Sequence, residues 1–581
     1  MTQFRKQFRK QFRKQFRKQF TKQFAWLTFA ATAFAACAPA TSPVVTAPAP
    51  APPPPVAAPP VQAPTEQPAV TTSGVREAPR NWQLLDDSID HYPGISLLRA
   101  QRELLKGRAP RQSVVVAVID GGVDTAHAAL RTRLWTNPKE VAGNGKDDDH
   151  NGNVDDVHGW NFIGGADGKD VQYDTFVLTR MFVRCAGTPQ TVTERAMPAI
   201  DSTTCSKVSA DYARKKTEIN TTLDQMRTIE AVMNRALPIL KQAAGTDSLT
   251  PAKVEALVAT SPQVIAARGL YLRLAQQGAT PEAVAEAVTE YGVQSQYGLN
   301  TEYDPRTIVG DDVADVSQRN YGNSDVTGPD AKHGTHVAGI IAAMPQDGVG
   351  MQGVASAALI MPVRAVPDGD ERDKDIANAI RYAVDNGARV INMSFGKPYS
   401  PFKSAVDAAV KYADAHGVLM VLAAGNDGAS LDTASNFPTP EYTGGGRAAN
   451  WIEVGASSWR GGDTLAVAFS NYSHTRVDVF APGEDILSTV QGGGYERLSG
   501  TSMAAPVVTG LAALIMSYYP NLTAAQVRQI ILDSATRYNR ASLVPGGKSG
   551  ETVPFASLSV TGGIVNAYNA LKLAQQRSSA H

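Results

Sequence analysis

The sequence predicts an α/β protein: a doubly wound, mainly parallel sheet with helices on both faces, plus an α-helical insertion. Three observations predict it. After His333, short apolar runs alternate with amphipathic stretches, the order expected of parallel strands joined by crossover helices. Between about 171 and 304 the pattern changes to helical periodicity alone, which marks a separate helical unit set into the sheet domain. The length of 581 residues, 43% of them hydrophobic, is enough for one large core with appendages.

The chain starts with segments that build no core. Residues 3–24 repeat Gln-Phe-Arg-Lys with a period of four, and the first 24 residues carry nine Lys and Arg and no acid. Formal net charge is zero over the whole chain, so the remainder is acidic on balance, which argues against nucleic acid as a partner. The apolar run Phe24–Ala36 is too short to span a bilayer but suits the hydrophobic part of a signal peptide, taken as residues 1–37. Phe34-Ala35-Ala36-Cys37 resembles the end of a bacterial lipoprotein signal, in which the Cys is diacylated and becomes the new N-terminus. Cys37 is therefore the expected lipidation site, and a membrane-anchored position in the cell envelope the expected location; simple secretion is the alternative. Residues 38–80, almost all Ala, Pro, Val and Thr up to about Thr72, favour an extended linker.

The α/β domain is expected over 81–170 and 305–574, with the insertion at 171–304. A helix is expected over Leu97–Lys106, then an apolar strand, Val114–Ile119, closing on Asp120-Gly121-Gly122. In the insertion, helical periodicity covers about Ala210–Leu240, Pro251–Thr260 and Pro281–Tyr291. It holds Cys185 and Cys205, which either pair, as an exported protein allows, or stay as two buried thiols. Later elements are strand Leu359–Val366, helix Lys374–Asn386, strand Arg389–Met393, helix Pro401–His416, and strands Val418–Ala423 and Ile452–Ala456.

Between the first strand and the insertion lies Asp147-Asp148-Asp149-His150-Asn151-Gly152-Asn153-Val154-Asp155-Asp156. Oxygen side chains at Asp147, Asp149, Asn151, Asn153 and Asp155, with Gly at the sixth place, match the opening of an EF-hand-like loop. His158 stands at the twelfth place where that loop has Glu, so a complete EF-hand is excluded. Carboxylates this dense repel one another unless a cation separates them, and structural calcium held by these five residues is expected.

The chemistry centres on Gly500-Thr501-Ser502-Met503-Ala504-Ala505-Pro506, a small-residue turn leading into a buried helix over Val507–Met516. A Ser at a helix start is ordinarily an N-cap. Its company changes that reading: an acid, Asp120, ends an apolar strand, and His333 heads His333-Gly334-Thr335-His336-Val337-Ala338-Gly339. Asp, then His, then Ser is one of the convergent chain orders of the Ser-His-Asp triad. With these segments the chain resembles the subtilisin-like (subtilase) serine peptidases from about Asn81 to about Ala574, interrupted by the insertion.

The resemblance implies a serine endopeptidase acting on proteins or peptides through an acyl-enzyme. Ser502 is the nucleophile, His333 the base and Asp120 the group that orients it; His336 and Asp124 are left as packing and turn residues. Asn426, in Ala424-Gly425-Asn426, matches the family's oxyanion Asn, with the Ser502 N–H as second donor. Ser394-Phe395-Gly396 resembles the edge that pairs with an extended substrate, and Ala423-Ala424-Gly425 the wall beside the residue before the cut. Asn81–Gly107 is too short for the family's usual prodomain. The insertion enters between Asp120 and His333, so both its ends return near the catalytic face; the unit either overhangs the cleft or packs elsewhere as a peripheral module. Two other readings remain: a catalytically silent surface lipoprotein binding peptide or cell-wall material, against which the complete set of four residues argues, and a hydrolase of esters.

Overall fold

The computed structural model describes residues 78–187, 192–258, 261–346 and 351–579; the basic repeat, Cys37 and nearly all of the linker lie outside them. Seven strands form the body of a sheet: β1 (Val114–Asp120), β2 (Trp160–Asn161), β3 (Ala358–Arg364), β4 (Val390–Met393), β5 (Leu419–Ala423), β6 (Trp451–Ser457) and β7 (Val479–Pro482). A hairpin follows, β8 (Ile486–Val490) with β9 (Gly494–Leu498). Of the remaining short strands, β10 (Thr536–Arg537), β11 (Ala541–Leu543), β12 (Thr552–Pro554) and β13 (Gly563–Ile564), the first and last extend the main sheet. Its order is β2-β3-β1-β4-β5-β6-β7-β13-β10, parallel except for the β13–β10 pair at the edge.

The central strands are fully buried on both faces, which is why they read as mainly apolar runs, broken only by Asn392 in β4 and by Glu453 and Ser457 in β6. β1 lies between β3 and β4, so the chain leaves it first to one side and then to the other. Asp120, the last residue of β1, therefore sits at the topological switch point, where open sheets of this kind form their clefts.

The longer helices are α1 (Leu97–Glu103), α2 (Val177–Cys185), α3 (Ser202–Ala244), α4 (Pro262–Gln276), α5 (Pro281–Val293), α6 (Lys332–Ala342), α7 (Asp373–Asp385), α8 (Lys403–Ala415), α9 (Thr501–Tyr518), α10 (Ala524–Asp533) and α11 (Ala567–Ser578). One face of the sheet is covered by α6, α9, α10 and α11, the other by α7 and α8. Helix α9 is long and apolar enough to cross a membrane, but all of it is buried at the centre of the first layer. The segment Asn81–Gly107 belongs to the same core: Trp82, Leu84, Ile95 and Leu97 are fully buried in it, and Trp82 Nε1 donates to the Glu484 carbonyl.

Residues 176–299 form their own apolar cluster. Val208, Tyr212, Ile219, Leu223, Met226, Met233 and Leu240 repeat at spacings of three, four and seven residues along α3 and share one apolar cluster with Tyr271 and Leu274 of α4 and Val284 and Tyr291 of α5. Cys185 and Cys205 form a disulfide that ties the end of α2 to the first turn of α3. The cluster also packs on Tyr399 and Phe402, just past the segment Ser394–Gly396.

Candidate active site

Asp120 and His333 meet because α6 approaches the end of β1 closely. A Cβ on Gly334 would lie 2.1 Å from the Gly122 carbonyl oxygen and 3.1 Å from Asp120 Cβ, so only Gly lets this turn of helix dock there. His333 Nδ1 lies 2.8 Å from Asp120 Oδ1 and 3.0 Å from Oδ2. A carboxylate on Nδ1 favours the tautomer with the proton on that nitrogen and leaves a lone pair on Nε2. Nε2 is buried and has no hydrogen-bond partner. The competing residues have other work. His336 is fully buried, its Nε2 lies 3.0 Å from the carbonyls of both Ile486 and Glu496, and burial pushes its pKa down to about 3. Asp124 accepts from the N–H groups of Ala126 and Gly492.

Ser502 lies in the first turn of α9, where backbone N–H groups have no intrahelical acceptor. It is buried rather than presented at the surface, and its Oγ donates to the Ser394 carbonyl at 2.9 Å; no hydrogen bond joins it to His333. The converse contact also forms, Ser394 Oγ donating to the Ser502 carbonyl at 3.0 Å. That carbonyl is available because Pro506, four residues on, has no N–H to give it. The Ser turn is thus held on the end of β4 from both directions.

Asn426 is oriented by the same helix start. Its Oδ1 accepts from Thr501 N at 2.8 Å and Thr501 Oγ1 at 2.9 Å, while Thr501 Oγ1 accepts from Gly425 N at 3.1 Å. With Oδ1 committed, the amide presents Nδ2, which is buried and unpartnered. A buried donor without an acceptor is rare and calls for an explanation.

Residues 111–551 match the subtilase (Peptidase_S8) family. The chain belongs to that family. It is 44% identical over 206 residues to the Thermophilic serine proteinase of Bacillus sp. (strain AK1), covering 35% of this chain and 47% of that one. To Subtilisin E of Bacillus subtilis (strain 168) it is 39% identical over 209 residues, 36% of this chain and 51% of the relative. To Subtilisin BL of Lederbergia lenta the identity is 37% over 216 residues, 37% and 74%. The chain spans about half the length of the first two relatives. A solved protease structure from Pseudoalteromonas arctica covers 85% of this chain and 98% of its own at 19% identity, with a TM-score of 0.44.

In this subtilase Asp120 and His333 line a cleft together with Ser394, Phe395 and Gly396, and with residues of 366–371 on a second wall. Ala423, Ala424 and Gly425 are buried outside that lining, with backbone groups already used: the Ala423 carbonyl takes Asn436 Nδ2, the Ala424 carbonyl takes Asn471 Nδ2, and Gly425 N–H goes to Thr501. Gly425 has φ +100, and an added Cβ would meet Asn471 Nδ2 at 2.5 Å, so this turn requires Gly.

The 171–304 unit supplies Gln172, Phe176, Lys215 and Gln294 to the cleft. Both its ends converge on one buried arginine that directly follows the second wall in sequence. Arg372 pairs with Asp174 (Nε–Oδ2 2.7 Å, Nη2–Oδ1 3.0 Å) and with Asp304 (Nη2–Oδ1 3.2 Å). Burial alone would raise the Asp174 pKa; Arg372 and Arg180 outweigh it and hold the carboxylate below its ordinary range. No sequence spacing announces these partners, since Asp174 and Arg372 are 198 residues apart.

The acidic loop closes differently from an EF-hand. Carboxylate oxygens of Glu140, Asp147 and Asp149 all lie within 4.8 Å of one another, and Glu140 Oε2 has no partner. Asp155 turns away from this group and accepts the N–H groups of Gly143, Asn144 and Gly145. Asn151 bridges Asn153 N and Asp156 Oδ2. Of the five expected ligands, then, the structure brings Asp147 and Asp149 together with Glu140, and it spends Asp155 and Asn151 on the loop's own hydrogen bonds. Oxygens ligating one calcium at 2.3–2.6 Å lie no more than about 5 Å apart, so the three carboxylates fit a single hard cation.

Proposed function

We propose that this subtilase is a serine endopeptidase hydrolysing peptide bonds through Asp120, His333 and Ser502. The observation that carries the reading is a pair of buried polar atoms the protein leaves unsatisfied, His333 Nε2 and Asn426 Nδ2. In this reading one is the acceptor for the Ser502 proton and the other the donor to the oxyanion. They flank Ser502 through Ser394, which shares the cleft with His333, and through Thr501, which holds Asn426.

In the reaction Ser502 Oγ rotates from the Ser394 carbonyl toward His333 Nε2, attacks the peptide carbonyl carbon and gives its proton to Nε2. Asp120 stabilises the imidazolium. The carbonyl oxygen becomes an oxyanion and takes Asn426 Nδ2–H and the Ser502 N–H. The C–N bond then breaks, with Nε2 returning the proton to the leaving amine. Water, deprotonated by the same nitrogen, attacks the acyl carbon; the bond from that carbon to Ser502 Oγ breaks, and Nε2 returns the proton to Oγ. The substrate lies extended against the backbone of Ser394–Gly396, which gives affinity with little sequence selectivity.

The proposal includes a structural calcium at Glu140, Asp147 and Asp149. An ion bound to the native state alone stabilises it, so excess chelator should lower the melting temperature and added calcium restore it. A melting temperature indifferent to chelator, in protein carrying no bound metal, removes the ion from this account. The proposal also places the protein outside the cytoplasm, held to a membrane by diacylated Cys37. Cys37→Ser should shift the protein from the membrane to the soluble fraction, and unchanged partition would favour a simple secretory signal.

A further inference from the structure

The cleft wall holds a carboxyl group that the catalytic apparatus does not use. Glu371 is only 2% exposed, lines the same cleft as Asp120 and His333, and its Oε1 has no hydrogen-bond partner. The cations nearest in the chain are committed elsewhere. Lys397 Nζ pairs with Asp373 at 2.7 Å and donates to the backbone carbonyl of Glu371, not to its carboxyl. Arg372 is turned to Asp174 and Asp304. Burial pushes the Glu371 pKa up to about 7 against the pull of Lys397, whose ammonium is bound to the Glu371 backbone carbonyl and not to its carboxyl.

The surroundings favour a cation. Asp330, Asp368 and Asp370 line the same cleft, against two basic residues, Arg364 and Lys215. The Arg364 guanidinium is used on the Gly121 carbonyl, Asn161 Oδ1 and the Val171 carbonyl. Lys215 is held 3.6 Å above the Phe176 ring, on the wall contributed by the helical unit. A cleft with low-dielectric walls and an excess of one sign of charge concentrates the opposite charge. A buried, unpaired carboxyl gains most from a partner that brings both charge and N–H donors.

We propose that Glu371 forms a subsite for a positively charged group of the substrate chain, either the side chain of a Lys or Arg near the scissile bond or the chain's own α-ammonium. The inference rests on the peptidase reading for its substrate class, and its test separates the two. Peptides carrying Lys, norleucine or Glu at each position up to four from the cut, with free or acetylated N-termini, are titrated against the Ser502→Ala protein and assayed for kcat/KM with the unmodified protein. One Lys position, or the free N-terminus, should improve binding and kcat/KM by about tenfold or more over its neutral counterpart. Glu371→Gln, checked for folding by its melting temperature, should remove most of that difference. If the preference follows acetylation the ammonium is the terminal one; if it follows Lys it is a side chain. Equal binding of Lys, norleucine and Glu peptides overturns the subsite, and so does a preference that survives Glu371→Gln. Absence of turnover on every peptide counts against the peptidase reading instead, because the binding arm still reads the charge preference.

Discussion

Ser502→Ala is expected to lower peptide hydrolysis by about 10⁶, the size of the effect of removing the nucleophile in subtilisin itself. The structure says why the loss should be chemical. Ser502 Oγ makes one hydrogen bond, to the Ser394 carbonyl, and the reciprocal bond from Ser394 Oγ runs to the Ser502 backbone, which Ala keeps. Removing Oγ leaves one carbonyl short of a donor, at a cost of about 1 kcal/mol, and opens almost no volume. The variant should therefore fold, melt close to the unmodified protein and still bind peptide. Residual activity within tenfold of the original in that folded variant would remove Ser502 from the mechanism.

Asn426→Ala should cost about 10² to 10³ in kcat, the range seen when subtilisin's own oxyanion Asn is removed. In the proposed mechanism the residue has two functions, and the variant loses both. Its Oδ1 caps α9 through Thr501 N and Oγ1, a contact whose loss costs about 0.5–2 kcal/mol of stability, while Nδ2 is the unpaired donor. Asn426→Asp separates them, because it keeps the acceptor on Thr501 and replaces the donor with a second oxygen. If Asn426 acts as the oxyanion donor, the Asp variant holds its melting temperature better than the Ala variant and is at least as inactive. An Asp variant with near-normal kcat would reduce Asn426 to a cap.

Much of the site was legible because its residues are set by local chain features. Apolar runs mark the strands, since parallel strands buried on both faces admit little else, and the helix over 332–342 shows as small residues behind a His. Boundaries shift by one residue at Lys374–Asn386 against the observed Asp373–Asp385, but the helix expected over Pro251–Thr260 closes at Glu255 and the one over Ala210–Leu240 extends to Ser202–Ala244. Helix α4 was missed although Ser261 caps it and Pro262 opens it, because its exposed Ile265 and central Gly269 blur the periodicity. The β8–β9 hairpin that accepts His336 was missed too, since alternating residues such as Tyr495-Glu496-Arg497 carry no strong strand signal. What sequence could not show is pairing across distance. Arg372 clamps Asp174 and Asp304, Pro506 frees a carbonyl for Ser394, and Glu140 rather than Asp155 joins Asp147 and Asp149; each depends on which loop ends the sheet brings together. Position in the sequence says that Glu371 is acidic, but only the fold shows that it is buried, unpaired and turned into the cleft wall.

The central claim, a nucleophilic Ser502 activated by His333, is tested most directly by reacting the folded protein with a fluorophosphonate and locating the adduct by peptide mass spectrometry. The account predicts one stoichiometric adduct on Ser502, formed far more slowly in His333→Ala and absent in Ser502→Ala. An adduct on another residue, or labelling of Ser502 at the same rate without His333, would contradict it.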